Sequence, residues 1–368
     1  MEIKAAVLYG VGEKLKVEPL DLVPPQAGEV LVKMKAAGVC HSDYHVVTGH
    51  ASQVLPCVLG HEGAGVVVEI GEGVTAVEVG DHVILNWLPN CGTCFYCQNN
   101  HLNLCTAYHG PVWAGTMMDG STRLTNQDGQ PVRHLSSIAT WANYSVVPED
   151  FCVIIKKEVP FDVASLVGCG VTTGIGAALN RAKVKPGSTV AVFGAGGVGL
   201  SVVMGAALAG AGKIIVVDRV ESKGEMAKQF GATHFVKAGA DTNDAIRALN
   251  EGRGADYVFE AVGNAKLQEA CLDAVRPGGM LVLVGITSSG TTFNVDGPLL
   301  IRQEKTVTGS FYGTAHNHRD FNKYCDLSIT GKLPIDKLIT HRYRIEQINE
   351  ALDDMLGGKV GRGVIVFD

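Results

Sequence analysis

Cys91, Cys94, Cys97 and Cys105 form a C-x2-C-x2-C-x7-C pattern in a loop dense in Gly, Asn and Thr. Four thiolates at this spacing can close a tetrahedral shell around one zinc ion with no vacant position, which is a structural site. An iron–sulfur cluster is the rival use of four thiolates. No Lys or Arg stands between Cys91 and Cys105, so a zinc ribbon on nucleic acid lacks phosphate-binding charge.

A second set is dispersed along the chain: Cys40-His41-Ser42-Asp43, Gly60-His61-Glu62 and Gly168-Cys169-Gly170. A single cysteine of this kind is usually a small core hydrophobe, and a lone histidine is more often structural than a ligand. Two thiolates and one imidazole together make a three-ligand zinc with an open fourth position, the arrangement of a catalytic site. The thiolates neutralise the dication, and the open position stabilises an alkoxide.

A third element is Gly194-Ala195-Gly196-Gly197-Val198-Gly199, which follows an apolar strand and opens a small-residue helix. The first glycine permits the tight turn, the second admits a pyrophosphate, and the third lets helix pack on strand. The helix N-terminus adds N–H groups and a favourable dipole. Asp218 follows about 20 residues later, where a carboxylate binds ribose hydroxyls and repels a 2′-phosphate, favouring NAD over NADP. Arg219 beside it is the residue type that can accept that phosphate instead.

These residues need two bodies to position them. The 368 residues exceed one ordinary core, and the composition, 46% hydrophobic and 18% charged, is that of a soluble globular protein. The first ~165 residues read as short strands and long loops, with strands over 29–35, 65–70 and 81–85. From Val171 the texture alternates: strands over 188–193, 213–218, 255–260 and 279–285, helices over 200–209, 223–230 and 266–275. That is the pattern of a doubly wound parallel sheet, an α/β fold. A helix over 345–356 and a strand over 363–367 close the chain.

A net charge of −6 disfavours nucleic acid and anionic membranes as partners. No basic stretch precedes an apolar segment at the N-terminus, the apolar runs read as strand-sized, and ten cysteines without an export signal suit a cytoplasmic protein. Cys57, Cys152, Cys271 and Cys325 read as core fillers. His101, His109, His134, His316, His318 and His341 read as solvated or loop residues.

Gly60-His61-Glu62-x2-Gly65-x5-Gly71-x2-Val74, the Cys40-x-Ser-Asp element, the four-cysteine box and Gly-Cys-Gly at Cys169 fall in one order. In that order they resemble the zinc-dependent medium-chain alcohol dehydrogenases, over the whole chain and down to Gly361-Arg362-Gly363. The liver-type branch, with its long insert at 116–131, is the most similar. The resemblance implies a GroES-like β-rich catalytic domain over 1–170 and 312–368, and a Rossmann NAD-binding domain over 171–311. It implies two zinc ions per chain: a catalytic one on Cys40, His61 and Cys169, which Glu62 coordinates transiently, and a structural one on Cys91, Cys94, Cys97 and Cys105. Asp43 would orient His61. Ser42 would take a hydrogen bond from the alcohol, and His45 would pass its proton to solvent through the nicotinamide ribose.

Toward NAD, the resemblance implies Gly194, Gly196, Gly197, Val198 and Gly199 at the phosphates and Asp218, Arg219 and Lys223 near the adenosine ribose. His41 and Arg362 would meet the pyrophosphate, and Ile286 would stand at the cofactor and the pocket rim. Many relatives carry arginine where His41 stands, and a histidine holds phosphate more weakly. Ala51, Trp87, Trp141 and Tyr312 would line the substrate pocket. The reading is reversible hydride transfer between NAD and an alcohol, a primary one and by its pocket aromatic or allylic. The alternative is a thiol-adduct-dependent formaldehyde dehydrogenase, although that branch usually places an acidic residue where Ala51 stands. A zinc-free reductase would lack both cysteine sets, and a non-catalytic nucleotide-binding protein has no use for Cys40, His61 and Cys169. Liver-type relatives pair as dimers, shorter ones as tetramers, so a homodimer is the expected assembly.

Overall fold

The computed structural model describes every residue except Lys359. The chain divides into two compact units, Met1–Cys169 with His316–Asp368, and Gly170–Ala315.

In the first unit the strands Glu2–Leu8, Lys16–Leu22, Leu124–Thr125, Pro131–His134 and Cys57–Val58 close a small barrel. Alternation drives it: Ile3, Ala5 and Val7 point into one core with Leu20, Leu22 and Val132, while Ala6 and Leu8 face another. A second sheet runs in the order Cys152–Ile155, His82–Leu85, Gly63–Ile70, Glu29–Gly38, Arg362–Val366 and Ile339–Tyr343. Tyr144–Pro148 also pairs with Glu29–Gly38. The C-terminal helix Ile348–Leu356 buries Ile348, Ala351 and Leu352 against Leu8, Leu59 and Trp141, so the tail packs on the first unit.

Arg123, in the insert over 116–131, is buried and grips buried Glu29 with two hydrogen bonds of 2.6 and 2.9 Å. This fork ties the insert to the central strand of the sheet, and losing either partner would strand a buried charge.

The second unit is a parallel sheet in the order His234–Lys237, Lys213–Asp218, Thr189–Phe193, Ala255–Glu260, Val275–Leu283 and Thr306–Gly309. The strand order reverses between Thr189–Phe193 and Ala255–Glu260, and a sheet of this kind binds ligands at the strand ends beside that point. His234–Lys237 and helix Thr242–Leu249 have no counterpart in the elements read from sequence. None of His234, Phe235 or Val236 is fully buried, so this strand lacks a strong apolar signature.

Two further expectations change. No membrane-length apolar run was expected, yet Phe161–Arg181 is a helix of 21 residues long and apolar enough to cross a membrane. Within that segment 83% of the window is buried inside the fold, which is how a core helix passes the same test. His134 is not a solvated loop residue. It ends strand Pro131–His134 fully buried, and its Nε2 accepts the Arg123 N–H at 3.0 Å.

Burial pushes the His134 pKa down to about 3, so the folded protein holds it neutral. An unfolded histidine takes up a proton below its ordinary pKa, so this stability is complete above about pH 6.5 and is lost as pH falls toward the folded value. The slope is about 1.4 kcal/mol per pH unit at most. Urea unfolding of His134→Gln, which retains an acceptor, should show a shallower fall in stability between neutral and mildly acidic pH than wild type. Parallel curves would assign the acid sensitivity to other groups.

Candidate active site and metal centres

Sheet register brings the dispersed ligands together. Strand Glu29–Gly38 lies between Gly63–Ile70, with Ala37 opposite Gly63, and Arg362–Val366, with Gly38 opposite Val364. Gly38 N–H donates to Glu62 O at 2.9 Å and Val39 N–H to Gly363 O at 3.0 Å. Cys40, just past one strand, therefore meets His61 and Glu62, just before the second, and Arg362, at the start of the third. A Cβ on residue 38 would stand 1.9 Å from Glu62 Oε2, so glycine there makes room for the Glu62 carboxylate.

Cys169 comes from a different direction. It sits in a wide π-turn over Val167–Val171 within the buried helix Phe161–Arg181, where such turns often mark functional sites. Ligand atoms of Cys40, His61, Glu62 and Cys169 all lie within 4.8 Å of one another, and all four residues are buried. Asp43 Oδ1 accepts from His61 Nδ1 at 2.9 Å and from Gly60 N at 3.0 Å. That bond puts the hydrogen on Nδ1 and leaves Nε2, buried and without a hydrogen bond, as a free lone pair. A metal ion satisfies it.

The charges agree. Burial pushes the Glu62 carboxyl up to about 7 against the pull of Arg362, which donates to it through Nη2. Asp43 is also raised by burial. Cys40 is held well below the thiol range, chiefly by hydrogen bonding with Cys169, whose own pKa rises. Two sulfurs and two carboxyls in one dry site call for more positive charge than Arg362 supplies, and a dication supplies it. The donor set of two thiolates and an imidazole suits zinc.

The second cluster is complete as well. Sulfurs of Cys91, Cys94, Cys97 and Cys105 lie within 4.8 Å of one another. Backbone N–H groups donate to these sulfurs, among them Cys94 N to Cys91 Sγ at 3.3 Å and Cys91 N to Cys105 Sγ at 3.4 Å. Donors aimed at sulfur stabilise thiolate, as a closed zinc site requires. Cys57, Cys152, Cys271 and Cys325 are buried elsewhere, and burial raises all four thiols.

In the second unit Gly194 has φ +102°, a left-handed turn. A Cβ at Gly199 would lie 1.8 Å from Gly194 O, whereas one at Gly196 meets nothing within 4 Å. Gly199 therefore packs helix on strand, and Gly196 leaves open space above the loop. Gly196 caps the helix Gly197–Leu208 with no side-chain bond, so its first N–H groups remain for an anion. Asp218 ends its strand with Oδ2 accepting from Ala195 N at 2.8 Å and Oδ1 from Val220 N at 2.9 Å; Lys223 Nζ is 3.4 Å away. These residues fit a dinucleotide. A cavity of about 150 Å³ lies beside Asp218, lined by Val217, Ala238, Thr242, Leu267 and Ala270, of which sequence reading singled out none.

Two domain families match: an alcohol dehydrogenase GroES-like domain over residues 26–157 and a zinc-binding dehydrogenase domain over residues 197–329. The chain belongs to the zinc-binding alcohol dehydrogenases. It is 40% identical to the class-3 alcohol dehydrogenase of Cereibacter sphaeroides and 39% to the S-(hydroxymethyl)glutathione dehydrogenase of Paracoccus denitrificans, each over 100% of both chains. Among solved structures, benzyl alcohol dehydrogenase from Acinetobacter calcoaceticus superposes with a TM-score of 0.94 at 34% identity, covering 100% of both chains. This dehydrogenase is an oxidoreductase that works with two zinc ions and NAD.

The remaining expected residues are scattered. Ser42 Oγ is 3.7 Å from Cys40 Sγ, and His45 is half-buried three residues further along helix His41–Val47. His41 and Ala51 are exposed. Trp87 packs edge-on to His61 at 6.2 Å, and Trp113, which sequence reading missed, packs against Trp87 at 6.4 Å. Trp141 is a core residue: it is fully enclosed among Leu8, Leu59 and Ile348, and its Nε1 donates to Gly38 O at 3.1 Å. Ile286, Tyr312 and Arg219 belong to the second unit, with Ile286 exposed and Tyr312 buried.

Cys97→Ser should lower zinc from two ions per chain to one, measured by atomic emission, and should open residues 91–105 to limited proteolysis. Unchanged zinc content would show that the four sulfurs do not share an ion.

Proposed function

We propose that this dehydrogenase oxidises primary aromatic or allylic alcohols to aldehydes with NAD, and reduces the aldehydes in reverse. The carrying observation is the aromatic wall. Trp87 stands against the ligand His61, and Trp113 continues the wall outward at 55% exposure. A planar group on the carbinol carbon stacks on such a wall, whereas a branched secondary carbon crowds it. The likeness to a benzyl alcohol dehydrogenase supports this reading.

Cys40, His61 and Cys169 would hold the catalytic zinc, with Glu62 beside it as a transient fourth donor. Bound there, zinc would polarise the substrate oxygen and lower the pKa of its hydroxyl. Asp43 keeps His61 in the Nδ1–H tautomer. Ser42 would accept the hydroxyl proton as its own hydrogen passes on through the nicotinamide ribose to His45, at i+3 on the same helix face, and from there to solvent. Arg362 donates to Glu62 and opposes the burial that raises its carboxyl. The unit Met1–Cys169 with His316–Asp368 would carry this chemistry, and Gly170–Ala315 would bind the nucleotide. There Gly194, Gly196, Gly197, Val198 and Gly199 would cradle the pyrophosphate, Asp218 and Lys223 the ribose, and the cavity beside Val217 the adenine. Asp218 already accepts two N–H bonds, which fixes its carboxylate for ribose hydroxyls.

Ten free cysteines suit a reducing cytoplasm. A homodimer fits the second unit: helix Gly297–Gln303 buries none of its residues, Ile301 is 79% exposed, and Thr306–Gly309 is an edge strand. The second substrate reading, S-(hydroxymethyl)glutathione, is favoured by the names of the curated relatives.

NADH formation over benzyl, cinnamyl and branched secondary alcohols, with S-(hydroxymethyl)glutathione in parallel, tests both. The expected result is the highest kcat/KM with the arylmethanol. Equal turnover of a branched secondary alcohol sinks the primary preference, and dominance of the glutathione adduct selects the second reading. Asp218→Ala should raise KM for NAD roughly tenfold or more, because a charge-assisted ribose bond is lost, and should narrow the preference over NADP. Unchanged KM would remove Asp218 from the ribose site.

A further inference from the structure

Besides His41, which is exposed on the first turn, helix His41–Val47 and the turn after it present His45 and His50. The rings of His45 and His50 have centroids 5.9 Å apart and planes at 80°. His45 is half-buried and His50 is exposed, so the pair runs from the protein outward.

The turn that returns His50 over His45 is built. Ala51 N–H donates to His45 O at 2.9 Å, and Gly49 takes φ +76° between them. Thr48 Oγ1 donates to Tyr44 O at 3.1 Å and lies 3.1 Å from His50 Nδ1. A hydroxyl has one hydrogen. With that hydrogen on Tyr44 O, the Thr48 oxygen accepts from His50 Nδ1–H. In that arrangement the lone pair of His50 is on Nε2, the nitrogen left to receive a proton.

We propose that His50 takes the alcohol-derived proton from His45 and delivers it to buffer, so that the proton leaves the site by a two-imidazole path. This rests on the reading that His45 stands in the proton path from Ser42. At this separation the transfer proceeds through one hydrogen-bonded water or after ring rotation. His45 imidazolium returns to neutral imidazole, His50 becomes imidazolium at Nε2 and then releases that proton, and nothing is oxidised or reduced in this leg.

The electrostatics drive the proton in the same direction. Burial first, then the charges of His41 and His50, hold His45 below its ordinary pKa; the Cys40 sulfur is the opposing influence. His45 is thus a poor place for the proton to rest, and His50 is the imidazole on its solvent side.

The test uses the zinc-loaded enzyme in stopped flow, reading the first-turnover NADH burst and proton release with an indicator dye. In dilute buffer His50→Gln should slow proton release roughly threefold or more, and added imidazole should restore it. Oxidation needs neutral His45. Removing the repelling charge of His50 raises the His45 pKa, so the acid limb of the burst should move to higher pH. His45→Gln should be slower still, and the double variant no slower than His45→Gln. A slowed His45→Gln beside a His50→Gln with wild-type proton release and pH profile overturns the proposal alone. An unaltered His45→Gln overturns the underlying relay and the proposal with it.

Discussion

Two cysteines, a glutamate and an aspartate converge in a dry pocket with one histidine and one arginine, and this concentration of acidic groups constrains everything around it. Burial raises the Glu62 carboxyl to about 7 and pushes Asp43 up as well, while hydrogen bonding with Cys40, then burial, raises Cys169. Arg362 answers one negative charge. A dication answers the sulfurs, so metal affinity and folding of this region are one free energy, not two. The convergence itself depends on strand register. Glu29–Gly38 must pair with both Gly63–Ile70 and Arg362–Val366 as it does, because a one-residue slip would turn each side chain to the opposite face.

The second unit solves a different electrostatic problem with backbone. An anionic pyrophosphate needs donors and space; orphan N–H groups of the helix Gly197–Leu208 supply the first and the bare Cα of Gly196 the second. Asp218 would be a liability there were it loose. Its two backbone hydrogen bonds hold the carboxylate at the strand end, with Lys223 tempering its charge.

What was legible in the sequence was local. The four-cysteine box and the glycine loop each fit within a few turns of chain, so spacing alone implies their geometry. Cys40, His61 and Cys169 are distant in sequence, and only resemblance joined them. The π-turn at Cys169 was invisible because Gly-Cys-Gly reads as a loop, although its glycines let the segment pack closely; a Cβ at Gly168 would come within 3.2 Å of Leu85 O. His134 and Trp141 were misplaced for a related reason. Each pairs a ring nitrogen with a backbone partner separated from it in sequence, His134 Nε2 with Arg123 N and Trp141 Nε1 with Gly38 O, which no composition rule reveals. Trp113 is not legible because the helix His109–Ala114 that carries it is too short for a periodicity, and its contact with Trp87 exists only once the chain is folded.

Helix His41–Val47 shows how little secondary structure the chemistry needs. At seven residues it is too short to be stable by itself. It carries Cys40 at its N-cap, Ser42 and His45 on one face, and Asp43 on the buried side. Asp43 is the anchor, since its bonds to His61 and Gly60 fasten the helix to the segment just before strand Gly63–Ile70 that bears the other ligand. The metal site and the proposed proton path would therefore share one fixed point. In that reading Ser42 would face the substrate oxygen only while Asp43 holds the helix against His61, and the position of His45 one turn on would follow from the same contact. Orienting a ligand and aiming the proposed relay would then be the work of a single carboxylate.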